Sequence, residues 1–157
     1  MKKRRTWQEK LADSKGFPKV SRIAGAMSKR WGTGTFVIPA PLEVDGLMKR
    51  VRRGRLTTID QLRTSLARKH KATIACPITT GIFAWIAAHA ADERQRAGSK
   101  RGVTPYWRTL KTGGEINPKY PGGVAAVREL LEAEGHAVVQ RGKRFFVADY
   151  DTRLARI

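Results

Sequence analysis

The side chains able to do nucleophilic, acid–base or metal chemistry are few in this sequence, and they are scattered. His70, His89 and His136 lie far apart, and no two have the i, i+4 spacing that puts two imidazoles on one helix face as metal ligands. Their expected roles are structural. The single cysteine, Cys76, excludes an internal disulfide and any multi-cysteine zinc site. It precedes a predicted helix, whose N-terminus would favour the thiolate. Against catalysis there, Ile74 and Ala75 point to burial, and no His or Asp is adjacent. Gly113-Gly114 and Gly122-Gly123 lack the arrangement of a phosphate-binding loop. The expectation is therefore no cofactor and no metal, with an enzyme built on Cys76 as the outlying reading.

Charge says more than chemistry. Among 157 residues, Lys and Arg number 32 and Asp and Glu 13, a formal net charge of +19. The length suits one domain. With 41% hydrophobic residues the chain can bury a core, which excludes a purely disordered basic tail. Such a surplus repels itself unless a polyanion neutralises it, and nucleic acid does so with release of counterions. Halotolerant adaptation would add acid instead. No run approaches the roughly 18 apolar residues of a membrane span, and no strongly amphipathic basic helix offers a large apolar face. The Met-Lys-Lys-Arg-Arg start lacks the apolar stretch of a secretory signal, so a cytoplasmic protein associated with nucleoid or ribosome is expected. Charge alone leaves DNA and RNA both open.

The elements that must carry this charge can be read in order. Residues 1–34 hold ten basic residues (Lys2, Lys3, Arg4, Arg5, Lys10, Lys15, Lys19, Arg22, Lys29, Arg30) against Glu9 and Asp13, with few large aliphatics. They are expected as an extended basic arm anchored by Trp7 and Trp31. Thr35 to Ile38 predicts a short strand, ended by Pro39-Ala40-Pro41, and Leu42 to Val51 a helix. After the basic turn Arg52-Arg53-Gly54-Arg55, Thr57 or Thr58 caps a helix to about Lys69, whose apolar face is Ile59, Leu62 and Leu66. A turn-rich linker, His70 to Pro77, leads to a second helix from about Thr79 to Gln95. At 100° per residue, Ile82, Phe83, Ile86 and Ala90 fall on the side expected to pack inward. The other side carries Thr80, Gly81, Ala84, Ala88 and Ala91, all small. Such a face suits either tight packing on another helix or entry into a nucleic-acid groove. Two helices joined by a turn and preceded by a basic loop fit a helix-turn-helix. Asp92 to Gly102 reads as a charged loop, Pro105 to Leu110 as a strand, Lys111 to Gly114 as a turn, and Val124 to Glu134 as a helix stopped by Gly135. Ala137 to Gln140 and Arg144 to Asp149 flank a hairpin turn.

The block Pro105-Tyr106-Trp107-Arg108, Asn117-Pro118-Lys119-Tyr120-Pro121-Gly122-Gly123 and Leu130-Leu131-Glu132-Ala133-Glu134-Gly135 resembles the C-terminal domain of the alkylguanine-DNA alkyltransferases. That family has Pro-Cys-His-Arg-Val, then a Tyr-x-Gly-Gly loop, then Leu-Leu-x-x-Glu. Arg53-Gly54-Arg55-Leu56-Thr57-Thr58 and the helix after it look like the approach to the family's helix-turn-helix, and the resemblance covers residues 42–136. It implies a mixed α/β, mainly helical fold: a winged-helix-like alkyltransferase domain over 35–136, with the basic arm before it and a hairpin extension over 137–157.

The departures bear on activity. Tyr106 stands where the family has its methyl-accepting Cys, and Trp107 where it has the activating His. A phenol with a pKa near 10 is a poor nucleophile at neutral pH, and an indole cannot accept a proton as imidazole can. Glu134 matches the relay carboxylate with nothing to relay. The resemblance is thus to alkyltransferase-like proteins, which lack the acceptor Cys and bind alkylated guanine in DNA without transferring the alkyl group. The family's intercalating Arg falls at Thr80 and its nucleotide-pushing Tyr at Ile59, which counts against base flipping, since flipping costs a few kcal/mol. Tyr106, Trp107, Tyr120, Gly122 and Glu134 would surround the former acceptor pocket, either stacking a base or filling the space. The expectation is a non-enzymatic binder of double-stranded DNA, with sensing of alkylguanine as its finer form. Binding of structured or ribosomal RNA within a ribonucleoprotein is the alternative. Arg52, Arg53, Arg55 and Thr58 would meet phosphates, Thr80, Gly81, Ala84 and Ala88 the groove, and Arg108 the pocket.

Overall fold

The computed structural model describes residues 3–157, so Lys2 lies outside the described residues. The fold is mixed α/β and mainly helical, and its axis is one long helix. In order, the chain forms α1 (Trp7–Ala12), β1 (Lys19–Arg22), α2 (Met27–Trp31), β2 (Thr35–Ile38), α3 (Pro41–Lys49), β3 (Thr57–Thr58), α4 (Ile59–Lys69), β4 (Ile74–Ala75) and α5 (Pro77–Arg96). After α5 come a 3₁₀ turn (Tyr106–Arg108), β5 (Thr109–Leu110), α6 (Gly123–Ala133), β6 (Val138–Arg141) and β7 (Arg144–Val147). No helix among the described residues is long and apolar enough to cross a membrane.

Local signals explain where the helices begin. Pro41 opens α3 and Pro77 opens α5, where a missing N–H costs nothing. Thr58 caps α4, its hydroxyl accepting from the Gln61 N–H at 3.2 Å. The β-branched and aromatic run Thr35-Phe36-Val37-Ile38 forms β2, the middle strand of a three-stranded sheet. It pairs antiparallel with β1 and parallel with β4, so the turn-rich linker between α4 and α5 contains a strand. A second small sheet pairs β3 with β5 in parallel, and β6 with β7 make the expected C-terminal hairpin.

The first segment departs from the sequence reading. Residues expected as an extended arm are folded onto the rest. The Trp7 ring stacks on His89 at 4.5 Å between ring centres and meets Trp85 edge-on at 4.9 Å. The Glu93 carboxylate accepts from the N–H groups of Trp7 and Gln8 at 3.0 and 3.2 Å, so an acid on α5 satisfies the free donors at the start of α1. Leu11 is buried, and β1 extends the sheet. A few large apolar anchors are enough to dock a segment poor in aliphatics.

The α5 faces are a second correction. Phe83, Ile86 and Ala90 are buried as expected, but so are Thr80, Ala84, Ala88 and Ala91, while Ile82 stands out. The helix is enclosed from both sides, by α1 and α3 and by α4 and the 3₁₀ turn. Its small residues let α3 approach closely, which is the packing reading of that face. The Thr80 hydroxyl, fully buried, donates to the Cys76 carbonyl at 2.7 Å. Neither Thr80, Ala84 nor Ala88 can enter a groove.

The predicted strand at 105–110 is shorter than expected, because Tyr106–Arg108 make a 3₁₀ turn first. A strand would send Trp107 and Arg108 to opposite sides. The turn brings both onto one carboxylate.

Candidate nucleic-acid interface

What α5 leaves exposed is a stripe in its first half. Ile78, Gly81, Ile82 and Trp85 recur at i, i+3, i+4 and i+7 and so share one face. Ile78 is 60% exposed and Ile82 44%, high values for residues on a helix otherwise enclosed. A β-carbon at Gly81 would meet open space. The stripe borders a groove of about 400 Å³ whose far wall is Lys111, Asn117, Pro118 and Lys119. The Trp85 indole N–H donates to the Lys119 carbonyl at 3.2 Å and ties that wall to the helix.

A second groove of about 360 Å³ shares Gly81, Lys111 and Asn117 with the first and adds Ile59, Asp60, Arg63 and Arg144. Arg63 is steadied by donating to the Ala75 carbonyl at 2.9 Å, and Arg144 by donating to Glu115 at 2.7 Å. The Arg144 guanidinium is the main reason the Glu115 carboxyl sits below the usual carboxylate range. The apolar ridge therefore lies between basic side chains from α4, the 111–119 loop and β7.

The residues expected around an acceptor pocket form a closed network instead. Tyr106 and Tyr120 are 4% and 3% exposed, and their rings meet edge-on at 5.9 Å. Trp107 meets Tyr106 edge-on at 5.4 Å. Burial pushes both phenols above their ordinary value, with Asp92 adding to the effect at Tyr106. Glu134 accepts from the Trp107 indole at 2.7 Å, from the Arg108 guanidinium at 2.9 Å and from the Gly54 N–H at 3.0 Å. Burial alone would raise this carboxyl, but the bonds from Arg108, Gly54 and Trp107 hold it below the usual range. Gly122, with φ +81°, turns the chain into α6 where a β-carbon would collide with Ala126.

These positions correct several site expectations. Arg108 does not line a pocket: its side chain is 13% exposed and is spent on Glu134 and on the Val51 carbonyl at 2.8 Å. Thr58 is buried as the cap of α4. Arg53 donates to the Ala133 carbonyl at 3.1 Å, at the end of α6. Arg52 and Arg55 face a different concavity, described below, and are not gathered with the α5 stripe. Of the expected groove residues only Gly81 lies on the exposed face, and Ile59 lies beside it. Cys76 is buried against Ile23 and Phe36. Sequence reasoning missed Ile78, Trp85, Lys111, Lys119 and Arg63, placed Ile82 on the inward face, and weighed Arg144 only for the RNA alternative.

No protein-family model matches the chain, and no curated protein matches it. Two solved structures do resemble it. One is Schizosaccharomyces pombe Atl1 in complex with damaged DNA containing O6-carboxymethylguanine, with a TM-score of 0.52 and 14% identity. The other is S. pombe ATL in complex with DNA, with a TM-score of 0.51 and 14% identity. Each likeness covers 74% of this chain and 94% of the other. The chain has the alkyltransferase-like fold. At this identity the likeness is one of backbone, and the side chains on the alkyltransferase-like frame are this chain's own.

Proposed function

We propose that this protein binds double-stranded DNA without catalysis, presenting the exposed stripe of α5 to a groove of the duplex, with α4 and α5 as its helix-turn-helix. The observation that carries the reading is the ridge of Ile78 and Ile82, 60% and 44% exposed on a helix buried through most of its length and flanked by Lys111, Lys119, Arg63 and Arg144. Apolar wedges set among cations are how proteins enter and part base steps in a minor groove. The net charge of +19 and the DNA complexes of the two S. pombe structures support the same reading.

Alkyl transfer has no support in these side chains. Tyr106 is a buried phenol with a raised pKa, and Trp107 offers an N–H that is already donated to Glu134. The burial of Tyr106, where the resemblance puts the acceptor Cys, supports a filled pocket and binding without lesion preference. Binding to plain duplex, the same duplex with one alkylguanine, and a structured RNA, each at low and moderate salt, tests both parts. Equal, strongly salt-dependent binding to the two duplexes, above that to RNA, is expected. A clear preference for the alkylated duplex would overturn the filled pocket, and a preference for RNA would overturn the DNA reading. Ile82→Glu, at an exposed position that leaves the fold intact, should lower duplex affinity at least tenfold.

A further inference from the structure

The arginines of the 52–55 turn line a site of their own. Lys49 and Arg50 at the end of α3, Arg52 and Arg55 of the turn, and Arg156 with Leu154 and Ala155 of the C-terminal segment enclose a concavity of about 870 Å³. No acidic side chain lines it. Lys49 is paired with Asp45 at 3.2 Å, whereas among the described residues Arg50, Arg52, Arg55 and Arg156 make no ion pair.

The cations are held there by backbone. The Leu56 N–H donates to the Arg153 carbonyl at 2.9 Å, the Ala155 N–H to the Leu56 carbonyl at 2.7 Å, and the Gln61 side chain to the Ala155 carbonyl at 3.2 Å. This frame fixes the C-terminal segment beside the turn and holds like charges together without an acid between them. Such a cluster opposes folding by self-repulsion, and a multivalent anion relieves it. Four guanidiniums carried on this fixed backbone suit the repeated phosphates of a nucleic acid, since each offers a forked pair of donors.

The cluster does not face the α5 ridge. Through Arg50 it runs into a groove lined by Ser65 and Lys69 of α4, whereas the second of the two ridge grooves is lined by Asp60 and Arg63 of the same helix. At 3.6 residues per turn these two sets lie on opposite sides of α4. We propose that the concavity is a second site for the phosphate backbone of duplex DNA, so that one molecule holds two duplex segments at once. The first segment rests on the function proposed above.

The experiment uses the full chain, one duplex immobilised on beads and a second, labelled duplex in solution, with a gel shift on a single short duplex run in parallel. Wild-type protein should carry the labelled duplex onto the beads. The double variant Arg50→Gln/Arg156→Gln, altered only at exposed side chains outside the α5 ridge, should shift the single duplex as wild type does and lose capture at least tenfold. Capture that survives in the variant would overturn the proposal, because bridging would then come from self-association or another face. Single-duplex binding without capture would overturn it too. Loss of the gel shift in wild type would show instead that the DNA-binding reading itself has failed, and the second segment with it.

Discussion

Glu134 takes hydrogen bonds from three residues in two separate parts of the chain: Gly54 in the basic turn, and Trp107 and Arg108 in the 3₁₀ turn. Its side chain is 3% exposed and that of Arg108 is 13%. Removing one partner of so buried a pair leaves a charge without compensation, at a cost of about 3–5 kcal/mol. Glu134→Gln keeps the volume and some hydrogen bonds but strands the Arg108 charge, so chemical denaturation should show a loss in that range. A loss under about 1 kcal/mol would mean that water reaches Arg108. The same carboxyl gives a pH dependence. Its folded pKa lies below the usual 4.5, so its stabilisation is present above that value and is lost as pH falls below it. His136 acts in the same sense at higher pH. Burial pushes it below the usual 6.5, with Glu134 only partly opposing, so its protonation favours the unfolded chain as pH drops past 6.5. Stability should therefore begin to fall just below about pH 6.5 and fall further below about 4.5, and His136→Gln should flatten only the first part. At Gly81, where a side chain meets open space, Arg should add a phosphate contact. Gly81→Arg is expected to tighten duplex binding and steepen its salt dependence by about one unit of slope, read from titrations at several salt concentrations.

Elements differ in how much of them is written locally. The bounds of α4 could be read because Thr58 caps one end and the apolar positions Leu62 and Leu66 keep helical spacing. The hairpin could be read because its two strands lie either side of a glycine turn. The faces of α5 could not, because a helix enclosed nearly all round carries no apolar stripe from which to tell inside from outside. Its exposed sector is set by where α1, α3 and α4 happen to pack. Two of those partners come from the first fifty residues, and α1 was expected only as part of an extended arm anchored at Trp7. Trp7 docks on Trp85 and His89, about eighty positions away, and nothing near Trp7 announces this. The block around Tyr106, Tyr120 and Glu134 was legible as a motif resemblance, while the meeting of the Tyr106 and Tyr120 rings is a tertiary contact that no local pattern shows. The folded state of the first segment has a consequence that an arm would not. Trp7→Ala should destabilise the whole molecule by about 2 kcal/mol, seen as a lower thermal midpoint in the absence of any ligand. An arm that only contacts nucleic acid would leave that midpoint unchanged and weaken binding alone.

On the scale of the whole molecule, most of the acids are already committed. Asp13, Glu43, Asp45, Asp92, Glu115, Glu132 and Glu134 are paired with basic partners inside the fold. Most of the surplus of +19 is therefore left facing solvent, and the cleft of Arg50, Arg52, Arg55 and Arg156 holds part of it with no acid in its lining, whereas Arg63, Lys111 and Arg144 beside the α5 ridge share Asp60 and Glu115. Repulsion among these charges destabilises the free protein, and it is screened over about 10 Å at 0.1 M salt. Raising salt from low to moderate should thus increase the thermal midpoint of the free protein. The same change should weaken its hold on duplex DNA, because the counterions that binding releases are then less dilute. Opposite signs for stability and affinity under one variable are the signature of a fold whose surface charge exists for a polyanion. Adding short duplex at low salt should raise the midpoint further than salt alone, since the ligand binds only the folded state. Thermal scans across a salt series, with and without duplex, check all three signs. A midpoint that falls with salt would mean that attractive surface pairs outweigh the surplus, and the two basic surfaces would then need another explanation.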